Sequence, residues 1–162
     1  MALYKIKTAV IALLLIILDQ ITKILIHANF TENESIDVIP GILDLTYVKN
    51  RGAAFGILSG HRWVFLSVTT LILIAAVFLL LTDKIKDKLT IMAAMLIISG
   101  GIGNMIDRIF REYVVDFVNF KIINFYVFNI ADSCVVIGSC LIIFKLLKEM
   151  HQDSKGMKAG AK

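Results

Sequence analysis

The sequence predicts an all-α polytopic membrane protein with four transmembrane helices and a small extracytoplasmic β-sheet. Hydrophobic residues make up 58% of the 162 residues, only 19% are charged, and the mean hydropathy is +0.82. A soluble domain of this length could not cover so much apolar surface, and four runs are long enough to cross a bilayer. Residues 1–162 therefore form a single membrane domain. The net charge of +4 comes from lysines near helix ends, which indicates membrane topology rather than nucleic-acid binding.

The first predicted span covers about residues 8–26 and contains two charged residues. Asp19 and Lys23 are four residues apart, so they share a helix face and can pair. At about 1.5 Å per residue, Asp19 lies beyond mid-membrane and Lys23 near the far surface. A structural ion pair with a snorkelling lysine explains this spacing, and so does a functional site facing the bundle interior. Both explanations stay open from the residues alone.

Residues 27–62 form a long extracytoplasmic connection. Residues 42–48 are rich in β-formers and follow Pro40-Gly41, which predicts one or two short strands on the membrane surface. The next stretch, residues 50–56, reads Asn-Arg-Gly-Ala-Ala-Phe-Gly. Its small residues permit close backbone approach while Asn50 and Arg51 offer polar groups, although the pattern alone is also that of a turn.

The remaining spans are predicted at about 63–81, 89–106 and 127–147. The second has no charged residue, and Trp63 at its start fits the interfacial aromatic belt. In the third, Gly100, Asn104 and Arg108 follow at four-residue intervals, with Asp107 beside them. This stripe predicts close helix packing that continues into a polar helix end.

Two further acids lie where the chain leaves and re-enters the membrane. Asp116 is in a short polar-aromatic connection, within Val114-Val115-Asp116-Phe117. Asn129 and Asp132, three residues apart, are predicted to share a face in the first turns of the fourth span.

The distribution of Lys and Arg predicts the orientation. Nine lie on the side of the termini and the 82–88 loop: Lys5, Lys7, Lys84, Lys86, Lys88, Lys148, Lys155, Lys158 and Lys162. Six lie on the other side, over longer connections: Lys49, Arg51, Arg62, Arg108, Arg111 and Lys121. The denser side is assigned to the cytoplasm, so both termini are inside. The polar residues of three spans and two loops then fall at one outer level, which predicts a single outward-facing site.

The residue types at this level limit the chemistry. Serine catalysis needs a base, and Ser99 has no histidine or lysine near it. His27, His61 and His151 lie outside the spans without metal-ligand spacing, so neither a metal nor a cofactor is expected. A pair of carboxylates remains. Two aspartates close together in a low dielectric share a proton, so one can act as base and the other as acid.

Residues alone leave a second function class open. Intramembrane acids also serve proton relays and ion pathways, so Asp19 and Asp132 could belong to a small proton-coupled carrier or channel subunit. Transporters commonly show internal repeats. The two halves of this sequence show no self-similarity, which disfavours that alternative.

Five blocks of the sequence resemble the lipoprotein signal peptidase (signal peptidase II) family of bacterial membranes. The blocks occur in order over nearly the whole chain and are residues 19–23 (Asp-Gln-Ile-Thr-Lys), 50–55 (Asn-Arg-Gly-Ala-Ala-Phe), 100–108, 114–117 and 128–133. The resemblance implies a four-helix membrane bundle with an extracytoplasmic β-cradle. It also implies an aspartic endopeptidase that cleaves a signal peptide immediately before a diacylglyceryl-modified cysteine at the outer leaflet of the cytoplasmic membrane.

The resemblance also assigns roles. Asp116 and Asp132 match the catalytic dyad of the family. The residues that match positions around the substrate and the dyad are Asp19, Lys23, Asn50, Gly52, Asn104, Asp107, Arg108, Asn129 and Ala131. The implied partners are prolipoproteins, membrane lipids and globomycin-type inhibitors, with no cofactor, metal or nucleic acid.

The sequence departs from the family at one position. The family usually has a glycine between the Asp107-Arg108 pair and the Val-Val-Asp-Phe block, where this chain has Glu112. We therefore expect the turn before Asp116 to differ or to carry strain. A near match to the GxGD-type intramembrane proteases is rejected, because Gly101-Ile102-Gly103 is followed by Asn104 rather than aspartate.

Overall fold

The computed structural model confirms the predicted fold class. It describes residues 1–52, 61–82, 84–122 and 125–160, with side chains through Asp153. The helices are α1 (Ala2–Asn29), α2 (Arg62–Leu81), α3 (Lys88–Phe110) and α4 (Ile130–Gly160), and each contains a segment long and apolar enough to cross a membrane. The strands are β1 (Ser35–Ile39), β2 (Leu43–Asn50) and β3 (Val114–Phe120).

Helix α3 is central and packs against the other three helices. Its glycines permit the close approach that the sequence predicted: a Cβ on Gly103 would lie 2.7 Å from Asp19 Oδ2 of α1, and one on Gly100 would overlap the carbonyl oxygen of Ala131. Gly138 of α4 allows a similar approach to α3, because a Cβ at this position would lie 2.7 Å from the carbonyl oxygen of Ala93. The outward faces of α1 and α2 carry exposed apolar side chains, as expected of lipid-facing surfaces.

The three strands form one antiparallel sheet in the order β1-β2-β3. Strand β2 covers most of the predicted strand region at residues 42–48, whereas β1 lies before Pro40, in the same long connection but outside that region. Strand β3 contains the residues that the sequence suggested were only a connection. Val114–Phe120 pairs with β2, placing Val48 opposite Asp116 and Asn50 opposite Val114. Val114, Val115 and Phe117 are buried, so packing against the helices fixes this short strand.

The chain before α4 is extended rather than helical, which corrects the predicted start of the fourth span. Phe128 forms an isolated antiparallel bridge with Val118, with N···O distances of 2.8 and 3.0 Å. Asn129 therefore precedes the helix and does not share a helical face with Asp132. This bridge places the first turn of α4 beside β3.

The turn between α3 and β3 takes the strained form expected at Glu112. Its φ is +68°, in the left-handed region that disfavours residues with a Cβ. The Glu112 carboxylate accepts a hydrogen bond from Arg62 at 2.6 Å, across the surface from the start of α2. An exposed ion pair of this kind contributes about 0–1 kcal/mol to the free energy of unfolding.

We predict that Glu112→Gly is more stable than Glu112→Ala by about 1 kcal/mol, because only glycine relieves the left-handed backbone. Both substitutions remove the Arg62 ion pair equally, so the difference in stability between the two variants reports only the backbone strain at residue 112. Thermal unfolding in detergent measures this difference. Equal midpoints for the two variants would show that the turn carries no strain.

Candidate active site

Asp116 and Asp132 line one cavity at the end of the bundle that carries the sheet. Asp116 lies in β3 and is 1% exposed, and Asp132 lies in the first turn of α4 and is partly exposed. The cavity has a volume of about 1270 Å³ and is also lined by Asn50, Gly52 and Arg108. The sheet and the start of α4 therefore bring the two carboxylates to one cavity.

Asp116 is held by two amides. Asn50 Nδ2 donates to its Oδ2 at 2.8 Å, and Asn129 Nδ2 donates to its Oδ1 at 2.6 Å. The Asn50 amide is oriented by its own turn, because its Oδ1 accepts the backbone N–H of Gly52 at 2.9 Å. Asn50 comes from the end of β2 and Asn129 from the residue before α4, so Asp116 connects two parts of the chain.

Asp132 is held by the helix cap and by α3. Asn129 Oδ1 accepts the backbone N–H of Asp132 at 2.8 Å, and Asp132 Oδ2 accepts the N–H of Asn129 at 3.3 Å. This reciprocal pair is a capping box at the start of α4. Asn104 Nδ2 donates to the remaining oxygen, Asp132 Oδ1, at 2.7 Å.

Each of the four carboxylate oxygens thus accepts one N–H bond. The four donors are amide or backbone nitrogens, none of which can take up a proton. This arrangement fixes both carboxylates without competing for the proton that they would share.

The pKa of Asp116 is raised from its ordinary value of 3.8 to about 7, chiefly by burial and then by the negative charge of Asp132. The hydrogen bonds from Asn50 and Asn129 oppose this shift. Near neutral pH, Asp116 therefore exchanges a proton readily, as acid–base chemistry requires.

A buried charge cluster lies behind the two carboxylates. Lys23 Nζ contacts Asp19 Oδ2 at 3.0 Å and Asp107 Oδ2 at 3.1 Å, and all three residues are at most 1% exposed. Asp19 Oδ1 also accepts the N–H of Ala131 at 2.9 Å, and Asp107 is hydrogen-bonded to Arg111 and to the N–H of Val115. Lys23 therefore does not snorkel to the surface.

Arg108 is a cationic residue that lines the cavity. Its guanidinium donates to the carbonyl oxygen of Gly52 at 3.3 Å and lies 4.8 Å from the ring centroid of Phe65 on α2. It therefore connects α3 to the 50–52 turn, and its cationic group lines the same cavity as both aspartates.

The structure brings together all eleven residues that the sequence singled out. Sequence reasoning missed Gln20, whose Nε2 donates to Asp19 Oδ2 at 3.1 Å and to the oxygen of Gly103 at 3.0 Å. It also left Arg111 without a role, although its spacing of four residues from Asp107 was a visible signal. Residues 53–56 of the 50–56 stretch lie outside the described residues. Within the described part of the chain, no group of three His, Cys, Asp or Glu side chains could hold a metal ion.

Comparison with known proteins identifies the family. The family model described as signal peptidase (SPase) II matches residues 11–148. The chain belongs to this family. A lipoprotein signal peptidase of Streptococcus thermophilus (strain CNRZ 1066) is 45% identical, with 90% of this chain and 95% of that protein aligned. One of Halalkalibacterium halodurans is 40% identical over 93% of this chain and 97% of the relative.

Solved structures agree with this assignment. A bacterial membrane enzyme determined by the in meso method at 2.3 Å has a TM-score of 0.85 and 40% identity, covering 89% of each chain. A second, at 1.9 Å, has a TM-score of 0.81 and 41% identity, covering 88% of this chain and 93% of the other. This member of the family is a multi-pass bacterial membrane protein and a protease of lipoprotein processing. Family membership thereby decides against the proton-coupled carrier.

The raised pKa of Asp116 predicts a pH-dependent contribution to stability. Because the folded state binds this proton more tightly than the unfolded chain does, Asp116 stabilises the fold less as pH rises from about 4 to about 7. Asparagine does not titrate. The unfolding midpoint of Asp116→Asn, relative to the unsubstituted protein, should therefore rise across this window in a fluorescence melting series.

Asp37→Asn is the control for this series. Lys121 holds the pKa of Asp37 below its ordinary range, so its carboxylate is already ionised above pH 5. Its relative midpoint should stay flat between pH 5 and 7. A flat line for Asp116→Asn as well would contradict the pKa assigned to Asp116.

Proposed function

We propose that the chain is an aspartic endopeptidase that removes the signal peptide of diacylglyceryl-modified prolipoproteins, cutting immediately before the lipidated cysteine. Asp116 and Asp132 form the catalytic dyad. One observation carries this proposal: two carboxylates from different elements line the same cavity, and N–H donors hold all four of their oxygens. Family membership and the lipoprotein signal peptidases among the relatives support the substrate class.

The dyad would work with one proton. The ionised carboxylate removes a proton from a water molecule as its oxygen attacks the scissile carbonyl carbon, and the protonated one donates its proton to the carbonyl oxygen. The tetrahedral intermediate then collapses and the C–N bond breaks. The leaving nitrogen takes a proton from one carboxyl of the dyad while the other carboxylate takes the proton of a hydroxyl of the intermediate, which restores the singly protonated pair. Because the two titrations are coupled, the active form is the singly protonated pair.

The remaining residues have positioning and binding roles in this proposal. Asn50, Asn104 and Asn129 orient the dyad through the hydrogen bonds described above. Arg108 and the neighbouring backbone of Gly52 are placed to bind the extended substrate or to stabilise the developing oxyanion. Asp19, Lys23, Asp107 and Ala131 support this arrangement from behind.

The cavity wall suits a substrate that carries acyl chains. It includes Phe120, Phe125 and Phe128, and it continues along α4 to Val136 and Ile137, which are 57% and 52% exposed at positions that face lipid. A lipidated cysteine could therefore enter sideways from the bilayer without leaving hydrocarbon. Membrane lipids and globomycin-type cyclic peptide inhibitors are expected to occupy the same apolar wall.

We predict that Asp116→Asn and Asp132→Asn each lower the cleavage rate by about 10³-fold or more, because neither amide can relay the proton. The assay follows release of the signal peptide from a lipidated prolipoprotein in detergent. Asp44→Asn is a matched control, since Asp44 is a buried acid of the same sheet, 3% exposed, outside the cavity. Substantial turnover by either dyad variant would remove the dyad from the mechanism.

The proposed orientation places the cavity outside, with both termini in the cytoplasm. It rests on the density of lysine and arginine, nine against six, on the two sides of the four helices. The sheet then lies on the outer surface, and the active site opens toward the outer leaflet.

Cysteine labelling tests this orientation. In a background carrying Cys134→Ala and Cys140→Ala, Val38→Cys on β1 should react with a membrane-impermeant maleimide on intact cells. Lys86→Cys in the 82–88 loop should react only after permeabilisation. The reverse pattern would place the site on the cytoplasmic side.

A further inference from the structure

Lys23 is a fully buried lysine whose three N–H donors are all used. Its ammonium lies 3.0 Å from Asp19 Oδ2, 3.1 Å from Asp107 Oδ2 and 2.9 Å from Asn104 Oδ1. An ammonium has three donors and no acceptor, so this set is complete. Two of the acceptors are charged, and the third is the amide that contacts the dyad.

This contact leaves the Asn104 amide with one orientation. Because Lys23 can only donate, the oxygen of the amide must face it, and Asn129 Nδ2 donates to the same oxygen at 3.2 Å. The Asn104 nitrogen must then face Asp132 Oδ1, where it donates at 2.7 Å. A flipped amide would place its NH₂ against an ammonium and its oxygen against a carboxylate.

The other two amides of the site need no such partner. Asn50 is oriented by the N–H of Gly52, and Asn129 is oriented by the N–H of Asp132 at the helix start. Asn104 lies within α3, where the neighbouring backbone N–H groups are used by the helix itself. Its orientation must be imposed by donors from other elements. Asn129 Nδ2 is one, at 3.2 Å, and Lys23 of α1 is the nearer one, at 2.9 Å, and carries a charge.

We propose that Lys23 is a positioning residue that holds the Asn104 amide with its nitrogen toward Asp132 and thereby fixes the catalytic carboxylate. The proposal rests on the dyad proposed above. Asp19 and Asp107 balance the buried charge, which would otherwise be very costly, and keep the ammonium in place. The competing explanation is an ion pair that only joins α1 to α3, and it involves no effect on the reaction of the folded enzyme.

A double-mutant cycle separates the two explanations. Lys23→Met alone would leave Asp19 unpaired, so the cycle uses Asp19→Asn as its reference, which keeps the oxygen that accepts the N–H of Ala131. Within that reference, Lys23→Met, Asn104→Leu and their combination are compared per folded molecule. Folded protein is quantified by size exclusion and thermal unfolding.

If Lys23 positions Asp132 through Asn104, Lys23→Met and Asn104→Leu should each lower kcat by about 10–100-fold, as a misplaced catalytic group does. KM should change less than about twofold. The combined variant should be no slower than the slower single variant, because both remove the same link. Asn104→Leu in the otherwise unsubstituted chain, where the Asp19–Lys23–Asp107 contacts stay intact, should show the same loss of kcat.

Three results would overturn the inference. They are an unchanged kcat in Lys23→Met, losses that multiply in the combined variant, and an unchanged kcat in Asn104→Leu with the ion pairs intact. None of these results bears on the assignment of the catalytic dyad, because Asp116→Asn and Asp132→Asn test that assignment separately. Conversely, turnover by a dyad variant would remove the proposed function, whatever the cycle shows.

Discussion

Burial of ionisable groups at the end of the helix bundle that carries the sheet is the constraint on which the rest of this structure depends. Lipid offers no hydrogen bonds, so every charge at this depth must find its partner within the protein. Lys23, Asp19 and Asp107 satisfy one another across α1 and α3, and Asp107 also binds Arg111 and the backbone of β3. The close approach of α1 and α3 at Gly103 follows from this, because a side chain there would displace Asp19.

The sheet provides what helices alone could not. A helix end can present Asp132 to the cavity, but a second acid facing it has to come from another direction. The β3 strand supplies Asp116, while the adjacent β2 supplies Asn50 to hold it. The bridge between Val118 and Phe128 then joins this sheet to the start of α4. Three short strands thus align the two proposed catalytic carboxylates.

Hydropathy was sufficient to predict the four helices, because an apolar run of about 20 residues rarely forms anything other than a membrane-spanning helix. It could not predict β3, since the seven residues from Val114 become a strand only through pairing with β2, far away in sequence. For the same reason the fourth span was predicted to start too early: Val127 and Phe128 are apolar enough to begin a membrane helix, but the bridge at Phe128 keeps this segment extended.

The polar residues of the site were found because they lie at one depth, and the family resemblance ranked them. Their contacts could not be predicted in the same way. Spacing predicts that Asp19 and Lys23 pair, but it does not show that Lys23 also reaches Asn104 on another helix. Gln20 was missed because a single glutamine at a span carries no periodic signal, and its role becomes visible only when the carbonyl of Gly103 lies beside it.

The capping box at Asn129 and Asp132 has a consequence for redesign of this enzyme. Helix starts are a common target for engineered thermostability, because a better cap usually comes without functional cost. Here the third helical residue is a proposed catalytic acid, and the capping asparagine also binds the other one. The start of α4 cannot be optimised separately from the reaction, so thermostability has to be sought elsewhere, for example at the turn of Glu112.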